Sequence, residues 1–203
     1  MLPERRTELV VLAGPNGSGK STVFQTFLAK WNLPFVNPDE IAKTLAPGDP
    51  NQVAFRAFRE AMARRVQLLD ARQSFVTEGI RPDPALLRDA AARGYFTRVV
   101  FVCMESPELN VRRVALRVSQ GGHNIPSKTV EARYPRALES LPEAVRLADQ
   151  LILVDNSVRL RAPRVVARFQ SGRLVSLRRN PPAWAVGVFA KEFEEFRATT
   201  RQD

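Results

Sequence analysis

At 203 residues and 22.8 kDa the chain is about one domain long, enough to bury a core without disulfide or metal staples. Its 44% hydrophobic and 26% charged residues match a soluble globular domain. A single cysteine, Cys103, excludes a disulfide framework and a cysteine-based zinc site, and no apolar run approaches the roughly 18 residues of a membrane helix. The net charge of +10 is uneven, with +7 in residues 158–179, +5 in residues 112–136 and −2 in the remainder. Two basic segments suggest a locally held anion more than a diffuse nucleic-acid surface, although arginines outnumber lysines 26 to 5, as in chains that are merely arginine-rich.

Leu9-Val10-Val11-Leu12-Ala13 reads as a buried parallel strand. A helix over about 20–30 places Val23, Phe24, Phe27 and Leu28 on one face. Phe35-Val36 is a brief second strand, and a short helix opens at Asp39 and stops before Pro47-Gly48-Asp49-Pro50. Residues 51–72 read as an amphipathic helix with Phe55, Phe58, Met62, Val66 and Leu69 on its apolar face. Ser74-Phe75-Val76-Thr77 is a third strand. Pro82-Asp83-Pro84 starts a helix that ends at Gly94.

A fourth strand covers 98–103, a helix 107–118, a loop 120–124, a helix from Pro126, and a fifth strand 151–154. Gln170-Ser171-Gly172-Arg173 between two β-prone runs signals a hairpin, and a last helix covers about 184–197. Strands alternating with helices predict an α/β domain with a five-stranded parallel sheet covered on both faces. The whole chain, 1–203, reads as one domain, with a lid-like helical segment over 106–148 and a C-terminal hairpin plus helix over 158–203.

Gly14-Pro15-Asn16-Gly17-Ser18-Gly19-Lys20-Ser21, followed by Thr22, fits G-x-x-x-x-G-K-[ST] in full. It follows a strand and opens a helix, the context the motif requires. Its glycines let backbone N–H groups turn toward phosphates, and the helix terminus adds partial positive charge. Lys20 reaches the β- and γ-phosphates and the Ser21 hydroxyl ligates Mg²⁺. The loop specifies a nucleotide rather than a reaction. A GTPase would carry Asn-Lys-x-Asp, which is absent. A motor ATPase would need a Walker-B acid with a sensor or arginine finger. A small-molecule kinase needs an acceptor-side carboxylate and an arginine-rich lid, and this chain offers both.

Asp39, just past the second strand, sits at the ligand-binding edge of such a sheet. It reads either as a base for an attacking hydroxyl or, with Asn37, as a helix cap. Glu78 follows the third strand at the same edge and reads as holding Mg²⁺ through water or binding substrate, against a merely solvated strand end. Arg81 lies within reach of that mouth. Arg113 and Arg117 share a helix face, Arg133 and Arg136 lie three apart on the next helix, and Gly121-Gly122 offers a hinge between them. This is the pattern of a lid closing over a transferring phosphoryl group. The single histidine, His123, reads as fixing the lid loop.

These segments together resemble the zeta toxin family of P-loop kinases, especially its short stand-alone members. The resemblance rests on the phosphate loop, Asn37-Pro38-Asp39-Glu40-Ile41-Ala42, Glu78, and Arg113-Val114-Ala115-Leu116-Arg117-Val118. It continues through Gly121-Gly122-His123-Asn124-Ile125-Pro126, Arg133-Tyr134-Pro135-Arg136 and Asp155-Asn156-Ser157. It implies a P-loop kinase fold, ATP or GTP with Mg²⁺, transfer to a hydroxyl of a small molecule such as UDP-N-acetylglucosamine, and a small antitoxin partner. Lys20, Ser21, Asp39 and Glu78 match the loop lysine, the metal-binding hydroxyl, the catalytic base and the acid after the third strand. Arg117 and Arg133 match the lid arginines, with Arg113 and Arg136 beside them. Relatives carry hydroxyl residues after that glutamate, whereas this chain has Gly79-Ile80-Arg81, a departure that bears on the acceptor.

A second reading is a nucleotide-dependent protein whose basic tail binds nucleic acid or a partner, with a polynucleotide kinase between the two. Met1-Leu2-Pro3-Glu4-Arg5-Arg6 does not read as a signal peptide, so a cytoplasmic location without membrane attachment is expected.

Overall fold

The computed structural model describes residues 6–120, 125–158 and 161–200. Met1–Arg5, the Gly121-Gly122 hinge, His123 and Arg159 lie outside the described residues. Five parallel strands, β1 (Glu8–Ala13), β2 (Phe35–Val36), β3 (Phe75–Gly79), β4 (Phe96–Cys103) and β5 (Gln150–Asp155), continue into the antiparallel β6 (Arg164–Gln170) and β7 (Arg173–Leu177). The order is β2-β3-β1-β4-β5-β6-β7. The five expected parallel strands are present, and the hairpin adds two more to the same sheet. Its turn places Ser171 (φ 47°) and Gly172 (φ 79°) in the left-handed region, the geometry a two-residue hairpin loop requires.

β1 lies at the centre, between β3 and β4, where the chain's progress across the sheet reverses direction. A crevice opens beyond the strand ends at such a point. Alternate β1 residues serve opposite faces. Leu9, Val11 and Ala13 join one core with Phe75, Phe101 and Phe169, while Val10 and Leu12 join the other with Val23, Val76 and Val154. Both faces are covered, but unequally. The first is roofed by α3 (Ala54–Asp70), α4 (Pro84–Ala92), α6 (Ser127–Glu139), α7 (Leu141–Leu147) and α8 (Ala183–Thr200), which is kinked at Phe189. The second is covered chiefly by the segment that follows the phosphate loop.

That segment differs from the expected regular helix. α1 (Lys20–Val23) passes into a π-helical turn, Phe24–Leu28, and then a 3₁₀ turn, Ala29–Trp31. The wider turn brings Val23 and Leu28, five apart, onto the buried side. Phe24 stacks on Phe35 with centroids 3.8 Å apart, and Phe27 turns outward.

α3 also departs from its sequence reading. Its buried stripe is Ala57, Ala61, Leu68 and Leu69, whereas Phe55, Phe58 and Val66 are exposed. Ala61, Leu68 and Leu69 join the core under the sheet and α2 packs on α3, so the buried side is not the one with the largest apolar side chains. α2 (Pro38–Leu45), capped by Asn37, packs on α3, and α5 (Pro107–Ser119) packs on α6. No helix among the described residues is long and apolar enough to cross a membrane.

Phe101 is fully buried in β4, with Trp184 6.2 Å away, whereas Phe55 is 75% exposed. Phe101→Ala is expected to cost about 3–5 kcal/mol and Phe55→Ala no more than about 0.5 kcal/mol in denaturant unfolding. Comparable losses from the two substitutions would contradict this account of the α3 face.

Candidate active site

The phosphate loop is braced from three directions. The Gly14 N–H donates to the Ile80 carbonyl (3.1 Å), which fixes the loop to the chain leaving β3. From α5, Asn110 Nδ2 donates to the Asn16 carbonyl (2.6 Å). From the end of β5, Asn156 Nδ2 donates to the Ser18 carbonyl (2.8 Å), while the Asn156 carbonyl accepts from Arg113 (2.8 Å). Gly19 lies against Asn156 with φ +94°, and a Cβ there would collide with Asn156 Nδ2, so only glycine suits the position.

Lys20 opens α1 and folds back over the loop. Its Nζ donates to the carbonyls of Gly14 (2.9 Å) and Pro15 (3.3 Å) and lies 3.6 Å from Glu78 Oε1. The parallel pairing of β1 and β3 sets Leu12 opposite Glu78, which fixes this ion pair from the sheet upward. Asn37 Nδ2 donates to Glu78 Oε2 (3.0 Å), and Asn37 Oδ1 accepts from the Asp39 N–H (2.8 Å). The cap of α2 therefore belongs to Asn37, which leaves the exposed Asp39 carboxylate unneeded for capping.

Burial disfavours both charges of the pair. It lowers the Lys20 ammonium below its ordinary value and raises the Glu78 carboxyl above its own, while the attraction between the two opposes each shift. Asp39 raises Glu78 further and favours the charged Lys20.

Two cavities meet at this cluster. One, of about 780 Å³, is lined by Asn16, Gly17, Gly19, Lys20, Ser21 and Thr22 of the loop and by Arg113 and Arg117 of α5. The other, of about 880 Å³, is lined by Arg65, Arg81 and Arg133 and by a largely apolar wall. Lys20, Asn37, Asp39 and Glu78 line both. Arg133 Nη1 donates to Asn16 Oδ1 (3.0 Å), tying α6 to the loop. Arg136, grouped with Arg133 in the sequence, is exposed and lines neither cavity, because a three-residue step on α6 carries it past the cavity wall. Gly14, Pro15 and Ser18 of the loop line neither cavity, and Ser18 is buried. In the hairpin, Arg164 is taken up by Asp155 (2.9 Å), while Arg168 and Arg173 are exposed.

No cluster of three or more His, Cys, Asp or Glu side chains placed to hold a metal ion exists among the described residues. The Ser21 hydroxyl lines the loop cavity together with the Asp39, Glu40 and Glu78 carboxylates. A small set of hard oxygen donors beside a phosphate site fits Mg²⁺, which keeps most of its water and takes few protein ligands.

Arg65 and Asn110 lie in none of the motifs singled out in the sequence, whereas Asn156 lies in Asp155-Asn156-Ser157, whose bracing role the sequence did not reveal. The signal that could have found Arg65, a charge at helical spacing between Ala61 and Leu68, shows only once the structure identifies that stripe as the buried one.

A family model described as an AAA domain matches residues 9–141. Among solved structures, a protein provisionally called a kinase from Chloroflexus aurantiacus shares 17% identity, with 78% of this chain and 92% of that one covered and a TM-score of 0.59. The complex of AvrRxo1-ORF1 and -ORF2 with ATP shares 14% identity over 96% of this chain, with a TM-score of 0.68. The match spans 64% of that chain's length. A structure from the PezAT toxin–antitoxin system of Streptococcus pneumoniae shares 12% identity, with 75% of this chain and 68% of that one covered and a TM-score of 0.54. At these identities the structural likenesses establish the fold.

Because burial raises Glu78, the folded protein holds that proton more tightly than the unfolded chain does. The resulting stabilisation is complete below the ordinary carboxyl value of 4.5 and is lost as pH rises through the folded value. Denaturant unfolding across this range should therefore show the stability of the protein relative to its Glu78→Gln variant falling as pH rises. Parallel stability curves would contradict the shift.

Proposed function

The chain belongs to this AAA-domain family, whose model matches 9–141, and on that premise we propose that it is a P-loop kinase transferring the γ-phosphoryl group of a nucleoside triphosphate to a hydroxyl of a small molecule. The observation that carries the kinase reading is the junction of two cavities at Lys20, Asp39 and Glu78, one lined by the phosphate loop and the other by an apolar wall with arginines. An enzyme that only hydrolyses its nucleotide has no need of the second cavity.

In this reading the backbone of 14–22 cradles the phosphates. Lys20 exchanges its contact with Glu78 for the β- and γ-phosphates. Ser21 would hold Mg²⁺, which when bound neutralises charge on the phosphate oxygens. Asp39 takes the proton from the acceptor hydroxyl. Arg117 on the loop side and Arg133 on the acceptor side stabilise charge on the transferring group, with Arg113 behind them. Glu78 and Arg81 contact the acceptor. Arg136, exposed on α6, lines neither cavity and is given no role in this reading.

The resemblance to zeta toxins supports a nucleotide sugar such as UDP-N-acetylglucosamine as acceptor and a small antitoxin as partner. The likeness to a structure from a toxin–antitoxin system accords with the latter. ATP is the nucleotide we favour, with AvrRxo1-ORF1:-ORF2 as the ATP-bound likeness.

Asp39→Asn tests the base. The cap of α2 rests on Asn37, so the substitution should leave nucleotide affinity nearly intact and lower phosphoryl transfer by about 10²–10⁴. Equal loss of binding and transfer would assign Asp39 a structural role, and unchanged transfer would remove it from the chemistry. Lys20→Ala should abolish productive triphosphate binding in calorimetry. Unchanged affinity would refute the nucleotide site.

A further inference from the structure

Arg65 reaches the acceptor-side cavity from the buried stripe of α3. Its guanidinium is half-buried beneath the end of β3. Nε donates to Thr77 Oγ1 (2.8 Å), Nη2 to the Glu78 carbonyl (3.2 Å), and Nη1 approaches Met62 Sδ (3.5 Å). Every one of these partners is uncharged. Among the described residues no carboxylate is in ion-pair contact with Arg65. Asp83, the acid whose charge acts on it, accepts at Oδ1 from the Ala85 and Leu86 N–H groups at the start of α4. Of the other acids on this cavity, Glu78 is paired with Lys20, and Asp39 stands at the junction with the loop cavity. Burial lowers Arg65 below its ordinary value, and the attraction of Asp83, which makes no ion-pair contact with it, opposes that shift without reversing it.

A guanidinium with five donors, three of them directed at neutral groups, keeps part of its fork for a ligand. Arg81 stands exposed on the same cavity, a second cation at its rim. The same cavity is lined by the apolar side chains of Phe58, Met62, Ile80, Leu86, Ile125 and Pro126. This combination is suited to a molecule with one charged end and one apolar face.

We propose that Arg65 is the acceptor-specificity residue of this cavity, receiving an oxyanion, carboxylate or phosphate, carried by the same molecule that presents its hydroxyl to Asp39. The proposal rests on the kinase reading for the hydroxyl, but the oxyanion contact stands on its own and is tested by binding alone. Orientation follows from the fixed fork. With the oxyanion held on Arg65 and the apolar body along Phe58 and Met62, the remainder of the acceptor extends toward the junction at Lys20 and Asp39.

The probes are phenyl phosphate, benzoate and benzyl alcohol, titrated into the full chain with its phosphate loop saturated by a non-hydrolysable ATP analogue and Mg²⁺. Phenyl phosphate or benzoate should bind at one site, and benzyl alcohol far more weakly. The better of the two anions identifies phosphate or carboxylate as the recognised group. Arg65→Met should weaken the anion roughly 10- to 100-fold, the range for losing a hydrogen bond to a charged group, and leave benzyl alcohol unchanged. Arg65→Lys keeps the charge without the fork and should fall between the two. It also serves as the test variant if Arg65→Met does not fold.

Anions that bind no better than benzyl alcohol, or bind wild type and variants equally, would overturn the proposal and leave Arg65 as a brace between α3 and β3. A chain that binds the anion through Arg65 yet phosphorylates no acceptor would instead sink the kinase reading alone.

Discussion

The site depends on keeping the Lys20 ammonium charged in a place almost without water. A buried cation costs several kcal/mol unless it is paired and hydrogen-bonded. Here the Gly14 and Pro15 carbonyls and Glu78 meet that need. Each partner is positioned by the sheet. Gly14 directly follows β1, Glu78 lies on β3 opposite Leu12, and the Gly14 N–H is tied to Ile80 just beyond β3. β1, the middle of the five parallel strands, pairs with β3 and β4 on its two sides, and that register sets this geometry. The loop can wait for its anion with the lysine already in place, and the triphosphate must only outcompete one carboxylate.

From that pair the rest of the site follows in two directions. Toward α5, the loop faces a cavity carrying Arg113 and Arg117. Toward α3 and α4, Glu78 and Asn37 form the edge of a second cavity whose wall is apolar. Asn37 links the two directions, because its amide donates to Glu78 while its oxygen caps α2 and orients the turn that carries Asp39. One side chain therefore sets the geometry of an acid on each side.

The features written in local sequence were legible. The phosphate loop has a fixed spacing, the five parallel strands are short apolar runs, and the hairpin has its Ser171-Gly172 turn, so all of these were read without coordinates. Asn37 and Asp39 could be located but not distinguished, since either side chain can cap a helix and only the hydrogen bonds decide. Features that depend on tertiary fit were misread. On α3 the rule that large apolar residues face inward failed, because the helix buries Ala57, Ala61, Leu68 and Leu69 and leaves Phe55 and Phe58 outside. After the loop, a π turn changed the phase of the helix and moved Phe27 outward. Arg136 was grouped with Arg133 by spacing and by the family resemblance, yet on α6 only Arg133 lines a cavity. Arg65 went unread because a lone arginine on an apolar stripe acquires meaning only when the cavity in front of it is visible.

The central claim is that the two cavities hold donor and acceptor of one phosphoryl transfer. The most direct measurement is a transfer assay with γ-labelled ATP and GTP against nucleotide sugars, nucleosides and oligonucleotides. The account predicts that label appears on a small hydroxyl compound in a reaction that requires Mg²⁺. Label released only as inorganic phosphate across the whole panel, or transferred only to oligonucleotide ends, would contradict it.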